Sequence, residues 1–151
     1  MAGNDRTLQR LLKLRKDEEQ QALKIWQDAL AQIARFEEQL QTLNTYRTQY
    51  VSEFAEKGTA GMGASALISF HNFLDKMDAV IERQLNDLRG LKERAQSLEN
   101  AYLTRQKERK IIETLLEKHR LAALKKERKA EAKLNDEFAM VALQRRRHSS
   151  P

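Results

Sequence analysis

The chain contains no cysteine, which excludes a disulfide framework and thiolate chemistry. Its single proline is Pro151, the last residue, so no internal proline interrupts a helix along the 151 residues. Glycine is nearly as scarce, and three of the five (Gly58, Gly61 and Gly63) fall between Ser52 and Phe73. Aromatic residues make up only 6% of the chain and charged residues 33%, a poor composition for a large compact core. Mean hydropathy is −0.75, and no run approaches the roughly 18 apolar residues of a membrane span. The opening MAGNDRTLQRLLKLRKDEE has neither an uninterrupted apolar core nor a small-residue cleavage site, so no secretory signal is expected. A cytoplasmic protein is the expectation.

What is present is abundant Ala, Glu, Lys, Leu, Arg and Gln, the profile of long helices sharing a narrow seam. Apolar residues amount to 40% and recur too regularly for disorder. Leu12, Trp26, Ile33, Leu40 and Phe54 fall on heptad position a, and Leu8, Ala22, Ala29, Phe36, Leu43 and Tyr50 on position d. Past the glycines a second frame begins, with Leu67, Leu74, Ile81, Leu88, Ala95, Tyr102, Leu116 and Ala123 at a. Its d positions are Phe70, Met77, Leu91, Leu98 and Ile112. A seven-residue repeat sustained this long predicts a coiled coil.

The fold expected is all-α, a single antiparallel two-helix coiled coil over residues 1–151. The first helix is expected over about 5–57, a bend over 58–65, a second helix over about 66–144 and a tail over 145–151. Gly58 is the expected left-handed terminator and Ser65 the expected cap of the second helix. A bend centred near residue 62 makes the numbers of facing residues add to about 124. Polar interruptions of the two seams, Arg15 and Glu19 against Arg105 and Arg109, then face each other, with Glu19 able to pair with Arg105. The second helix should lack an intramolecular partner from roughly His119 onward, leaving a C-terminal helical overhang.

Catalytic chemistry has no candidate. His71, His119 and His148 lack the spacing of a helical metal pair, and Gly61–Gly63 lacks the strand and lysine of a phosphate loop. Paired carboxylates such as Glu37 and Glu38 are expected on exposed faces, where nothing would raise a pKa for acid–base work. No enzyme activity, metal or cofactor is assigned.

Charge is uneven. Residues 1–103 carry 14 Lys/Arg and 15 Asp/Glu, whereas residues 104–151 carry 14 and 7. The excess lies in Thr104–Lys110, Leu124–Lys133 (with Lys125, Lys126, Arg128, Lys129 and Lys133) and Arg145–Arg147. A solvated face, an acidic protein, an anionic membrane surface and nucleic acid all fit such a run. Nucleic acid is disfavoured, since no aromatic interleaving or known module accompanies the charge. Near the bend, Phe73 and Val80 occupy g positions beside Met77 and Gln84, and Tyr46 and Val51 add apolar edge on the first helix. This stripe is read either as a docking surface for another protein or as a thickened seam.

TYRTQYVSEF (Thr45–Phe54), a glycine-bearing loop, FHNFLDKMDAVIERQ (Phe70–Gln84) and KLNDEFA (Lys133–Ala139) together resemble the FliJ proteins of the bacterial flagellar export apparatus. The resemblance covers nearly the whole chain in the same order. It implies a soluble coiled coil similar to the central stalk of rotary ATP synthases, inserted in the ring of the export ATPase and promoting its assembly and activity. It further implies binding to the cytoplasmic domain of the membrane export gate and to export chaperones. The implied location is the cytoplasmic face of the inner membrane at the flagellar base, without a membrane span.

The family's gate-binding patch falls on Phe73, Met77, Val80 and Gln84. The end expected to enter the ring carries Leu8, Leu12, the basic cluster Lys125–Lys133, and Asp136, Glu137, Phe138 and Val141. The competing expectation is a generic coiled-coil scaffold or homodimer, for which the seam is the whole story.

Overall fold

Residues with high helix propensity, uninterrupted by proline, leave the backbone little alternative to helix on either side of the glycine cluster. The computed structural model describes residues 2–58, 61 and 63–149. Helix α1 spans Ala2–Gly58 and helix α2 spans Ala64–Ser149, and no strand occurs among the described residues. The two helices pack against each other as an antiparallel hairpin, the all-α fold expected from the heptads.

The bend differs in detail from the expectation. Gly58 ends α1, but the left-handed residue is Gly61, with φ of 87°, a conformation that a Cβ disfavours. The Gly61 amide donates to the Gly58 carbonyl at 3.5 Å. Ser65 is not the cap of α2, because the helix has begun by Ala64. Instead the Gly63 carbonyl accepts from the amides of Ala66 and Leu67 at 3.1 and 3.3 Å. At its far end α2 continues to Ser149, into the expected tail, whose residues 150 and 151 lie outside the described residues, and the Ser149 hydroxyl donates to the Arg146 carbonyl at 3.2 Å. Nothing from Arg145 to Ser149 carries a helix-breaking side chain.

The hairpin divides into two compact units, Glu19–Thr104, and Met1–Glu18 with Arg105–Pro151. In the Glu19–Thr104 unit the core is Ile33, Leu40, Leu88 and Ala95, backed by Ala29, Phe36, Ile81 and Leu91. All eight are a or d residues of the expected frames. Toward the bend the seam is aromatic. Phe54 and Phe70 stack with centroids 3.6 Å apart, and Tyr50 lies 5.3 Å from Phe70. Trp26 stacks on Tyr102 at 5.8 Å. Leu67, expected in the seam, is 46% exposed, because α1 ends at Gly58 and offers almost nothing opposite it.

In the other unit Ile112 is buried, and polar residues carry much of the pairing. Arg105 bonds Glu18, the residue next to the Glu19 that the register places within its reach. Its guanidinium donates to Glu18 at 3.2 Å and to Glu108 at 3.2 Å. Arg15 donates to Glu18 at 3.0 Å and lies 3.8 Å from Glu108, closing a four-membered ring of alternating charge. A d-position arginine on each helix thus holds a glutamate three residues on, and the two pairs interlock. Nearer the start of α1, His119 Nδ1 lies 3.1 Å from Asp5 Oδ1, and these two numbers add to the expected 124.

Candidate functional site

Apolar side chains that leave the seam mark two surfaces, one in each unit. In the Glu19–Thr104 unit, Phe73 and Val80 stand seven residues apart on the g edge of α2 and are 39% and 40% exposed. Phe73 is braced from behind by Tyr50, whose ring lies 4.6 Å away, tilted by 52°. Met77, expected as part of the same surface, is only 7% exposed and belongs to the core. Its d position turns it between the helices, so it supports the exposed pair and does not join it. Gln84 is half-buried, and its Oε1 is enclosed without a hydrogen-bond partner among the described residues. An enclosed amide oxygen left unsatisfied is a local cost in the seam.

Like heptad edges adjoin in this hairpin, as the Glu37–Lys92 pair across the two e edges shows at 3.2 Å. Tyr46, exposed on the g edge of α1, therefore belongs to the side of the hairpin that presents Phe73 and Val80. Arg47 and Asp78 clasp the helices in the same region. The hydrogen bond from Arg47 holds the Asp78 carboxyl below the usual carboxylate range, and the one to Asp78 raises the Arg47 guanidinium further.

The second surface is the part of α2 that outruns α1. Residues 125–149 are exposed throughout. Phe138 is 65% exposed, and Leu134, Met140, Val141 and Leu143 are exposed with it. Lys125, Lys126, Arg128, Lys129 and Lys133 project from this stretch, as do Asp136 and Glu137. Leu8 and Leu12 are half-buried on α1, so they serve the seam first and any partner second. The overhang expected from His119 begins a little later. His119 still touches Asp5, and Leu124 is the last half-buried residue.

Sequence reasoning passed over the groove beside the start of α1, lined by Leu12 from α1 and by Glu113, Leu116, Glu117, Leu124 and Glu127 from α2. Its signal was available, because those α2 residues recur at helical spacing on one face.

No group of His, Cys, Asp or Glu among the described residues is arranged to hold a metal. No helix among them is long and apolar enough to cross a membrane. These features define a class: a long helical hairpin whose chemistry lies in exposed helix faces. The particular family follows from the sequence as a whole. The family model for the flagellar FliJ protein matches residues 4–148, and the chain belongs to that family, a non-catalytic component of flagellar protein export. No curated protein and no solved structure matches it.

Proposed function

We propose that this chain is the stalk-like component of the bacterial flagellar export apparatus, joining the export ATPase ring to the membrane export gate and to substrate chaperones. The observation that carries this reading is the family match over residues 4–148, combined with an unpaired, basic extension of α2. A stalk engaging several equivalent ring subunits gains from long-range charge, which tolerates rotation and changing partners. The Lys125–Lys133 cluster and Arg145–Arg147 supply that charge, and Phe138 and Val141 supply apolar contact.

Phe73 and Val80, braced by Tyr50 and Met77, are proposed as the contact for the gate's cytoplasmic domain, with Gln84 at the edge of the patch. The complex is proposed to sit at the cytoplasmic face of the inner membrane at the flagellar base.

Affinity capture with the full chain tests the reading. Both the export ATPase and the gate's cytoplasmic domain should be retained, and Phe73→Ala with Val80→Ala should release only the gate domain. Failure to retain either partner would overturn the proposal.

A further inference from the structure

The groove beside the start of α1 has the opposite sign to the segment that holds it. Its lining carries four carboxylates (Asp5, Glu113, Glu117 and Glu127) against one guanidinium, that of Arg120. Arg120 is committed to Glu117 at 2.7 Å, and Arg109 sits on Glu113 at 2.9 Å. Glu127 has no such partner among the described residues. Between these carboxylates lie Leu12, Leu116 and Leu124.

At about 100° per residue, Glu113, Leu116, Glu117, Leu124 and Glu127 share one face of α2, and the lysines at 125, 126, 129 and 133 point the other way. The segment is therefore two-faced, with lysine on its back and an apolar, acid-rimmed track along its front. That track continues the seam against α1 and runs on through Leu134, Phe138 and Val141 with nothing packed on it.

We infer that this track is a docking groove for a cationic amphipathic helix of a partner protein. Leucine-like side chains of the partner would fill the space between Leu12, Leu116 and Leu124. Its lysines or arginines would meet Glu127 and the rim carboxylates. A helix laid in a groove is anchored by residues at i, i+3, i+4 and i+7, the spacing that the lining itself has. A second copy of this chain fits worse, because its own corresponding face is acidic and would repel. The pairing at Leu12, Leu116, Leu124 and Glu127 does not depend on the gate assignment, which concerns the Phe73 surface, or on the ring assignment, which uses the lysine face and, farther along the track, Phe138 and Val141.

Fluorescence anisotropy of the full chain against labelled helical peptides tests the inference. The probes are a leucine–lysine peptide with leucines at i, i+3, i+4 and i+7, and its leucine–glutamate counterpart. Saturable binding of the lysine peptide at one site is expected. Glu117→Lys with Glu127→Lys should weaken it by about tenfold or more and confer binding of the glutamate peptide, since rim charge sets partner choice. Glu127→Lys alone, which breaks no existing pair, should shift both affinities in the same directions. Glu82→Lys with Asp87→Lys makes the same change of charge in the other unit and should leave binding within about twofold. Equal loss in that control would mean bulk charge alone and would overturn the groove. So would indifference to Glu127→Lys, or wild-type self-association in sedimentation that the peptide competes away, which would make a second copy the occupant.

Discussion

Arg105 donates a hydrogen bond to Glu18 at 3.2 Å, joining residues 87 positions apart in the chain. Around that contact Arg15 and Glu108 complete a ring of alternating charge in place of the leucines that a coiled-coil seam would otherwise carry. All four side chains remain partly open to water, so each pair contributes at most about 1 kcal/mol and fixes register more than stability. Cysteines introduced at Glu18 and Arg105 should therefore be bridged within one chain by a short bifunctional thiol reagent. The native chain has no cysteine to compete. Bridging found only between chains would refute the hairpin pairing.

On the g edge of α2, Phe73 and Val80 should be separable from the core beside them. Phe73→Ala and Val80→Ala should weaken gate binding and motility with little loss of helix content. Met77→Ala or Leu88→Ala, at buried seam positions, should each cost about 2–5 kcal/mol in chemical denaturation. Comparable unfolding by the g-edge changes would make Phe73 and Val80 seam residues.

How much of this was readable beforehand depended on periodicity. The a and d frames named every residue that proves buried, from Ile33 and Leu40 to Phe70, Met77, Leu88, Ala95 and Ile112. A seven-residue repeat fixes which side of a helix turns inward, and glycine scarcity fixes where the chain can turn. What periodicity does not fix is the choice between adjacent residues. It puts Glu19 within reach of Arg105 where Glu18 makes the bond, and Ser65 at the cap where the Gly63 carbonyl serves. Side-chain reach and the exact first turn decide those, and both depend on atoms and not on pattern. Helical spacing places Met77 in one stripe with Phe73 and Val80, but its d position turns it inward and leaves it 7% exposed.

Gly90 lies within α2 with open space around the position a Cβ would occupy. An exposed helical glycine costs about 1 kcal/mol relative to alanine, mostly through the freedom of the unfolded chain. Gly90→Ala should therefore raise the denaturation midpoint without altering any partner interaction. A lowered midpoint would indicate that the helix yields there for a purpose.

The clasp between Arg47 and Asp78 has a pH signature. Because Asp78 has a folded-state pKa below its ordinary value, its contribution is present above the unfolded carboxylate pKa of about 4. It is lost as pH falls through the depressed folded value. Asp78→Asn should lower the melting temperature slightly at neutral pH, and the difference from wild type should vanish in strong acid. A difference that persists in acid would assign the effect to packing.

The overhang provides the sharpest separation of roles. Residues 134–151 lie in the unit containing Met1–Glu18, whereas Phe73 and Val80 belong to Glu19–Thr104. Deleting 134–151 removes Phe138, Val141 and Arg145–Arg147 but none of the buried core. Stimulation of the export ATPase should then be lost, with gate binding retained and the melting temperature nearly unchanged. Neutralising Lys125, Lys126, Arg128, Lys129 and Lys133 should slow engagement at low salt and matter little at high salt, since exposed charges are screened within about 10 Å at 0.1 M. Phe138→Ala should weaken stimulation at every salt concentration. Full stimulation by the truncated chain, or a salt dependence that survives neutralisation of the cluster, would place the ring contact elsewhere on the hairpin.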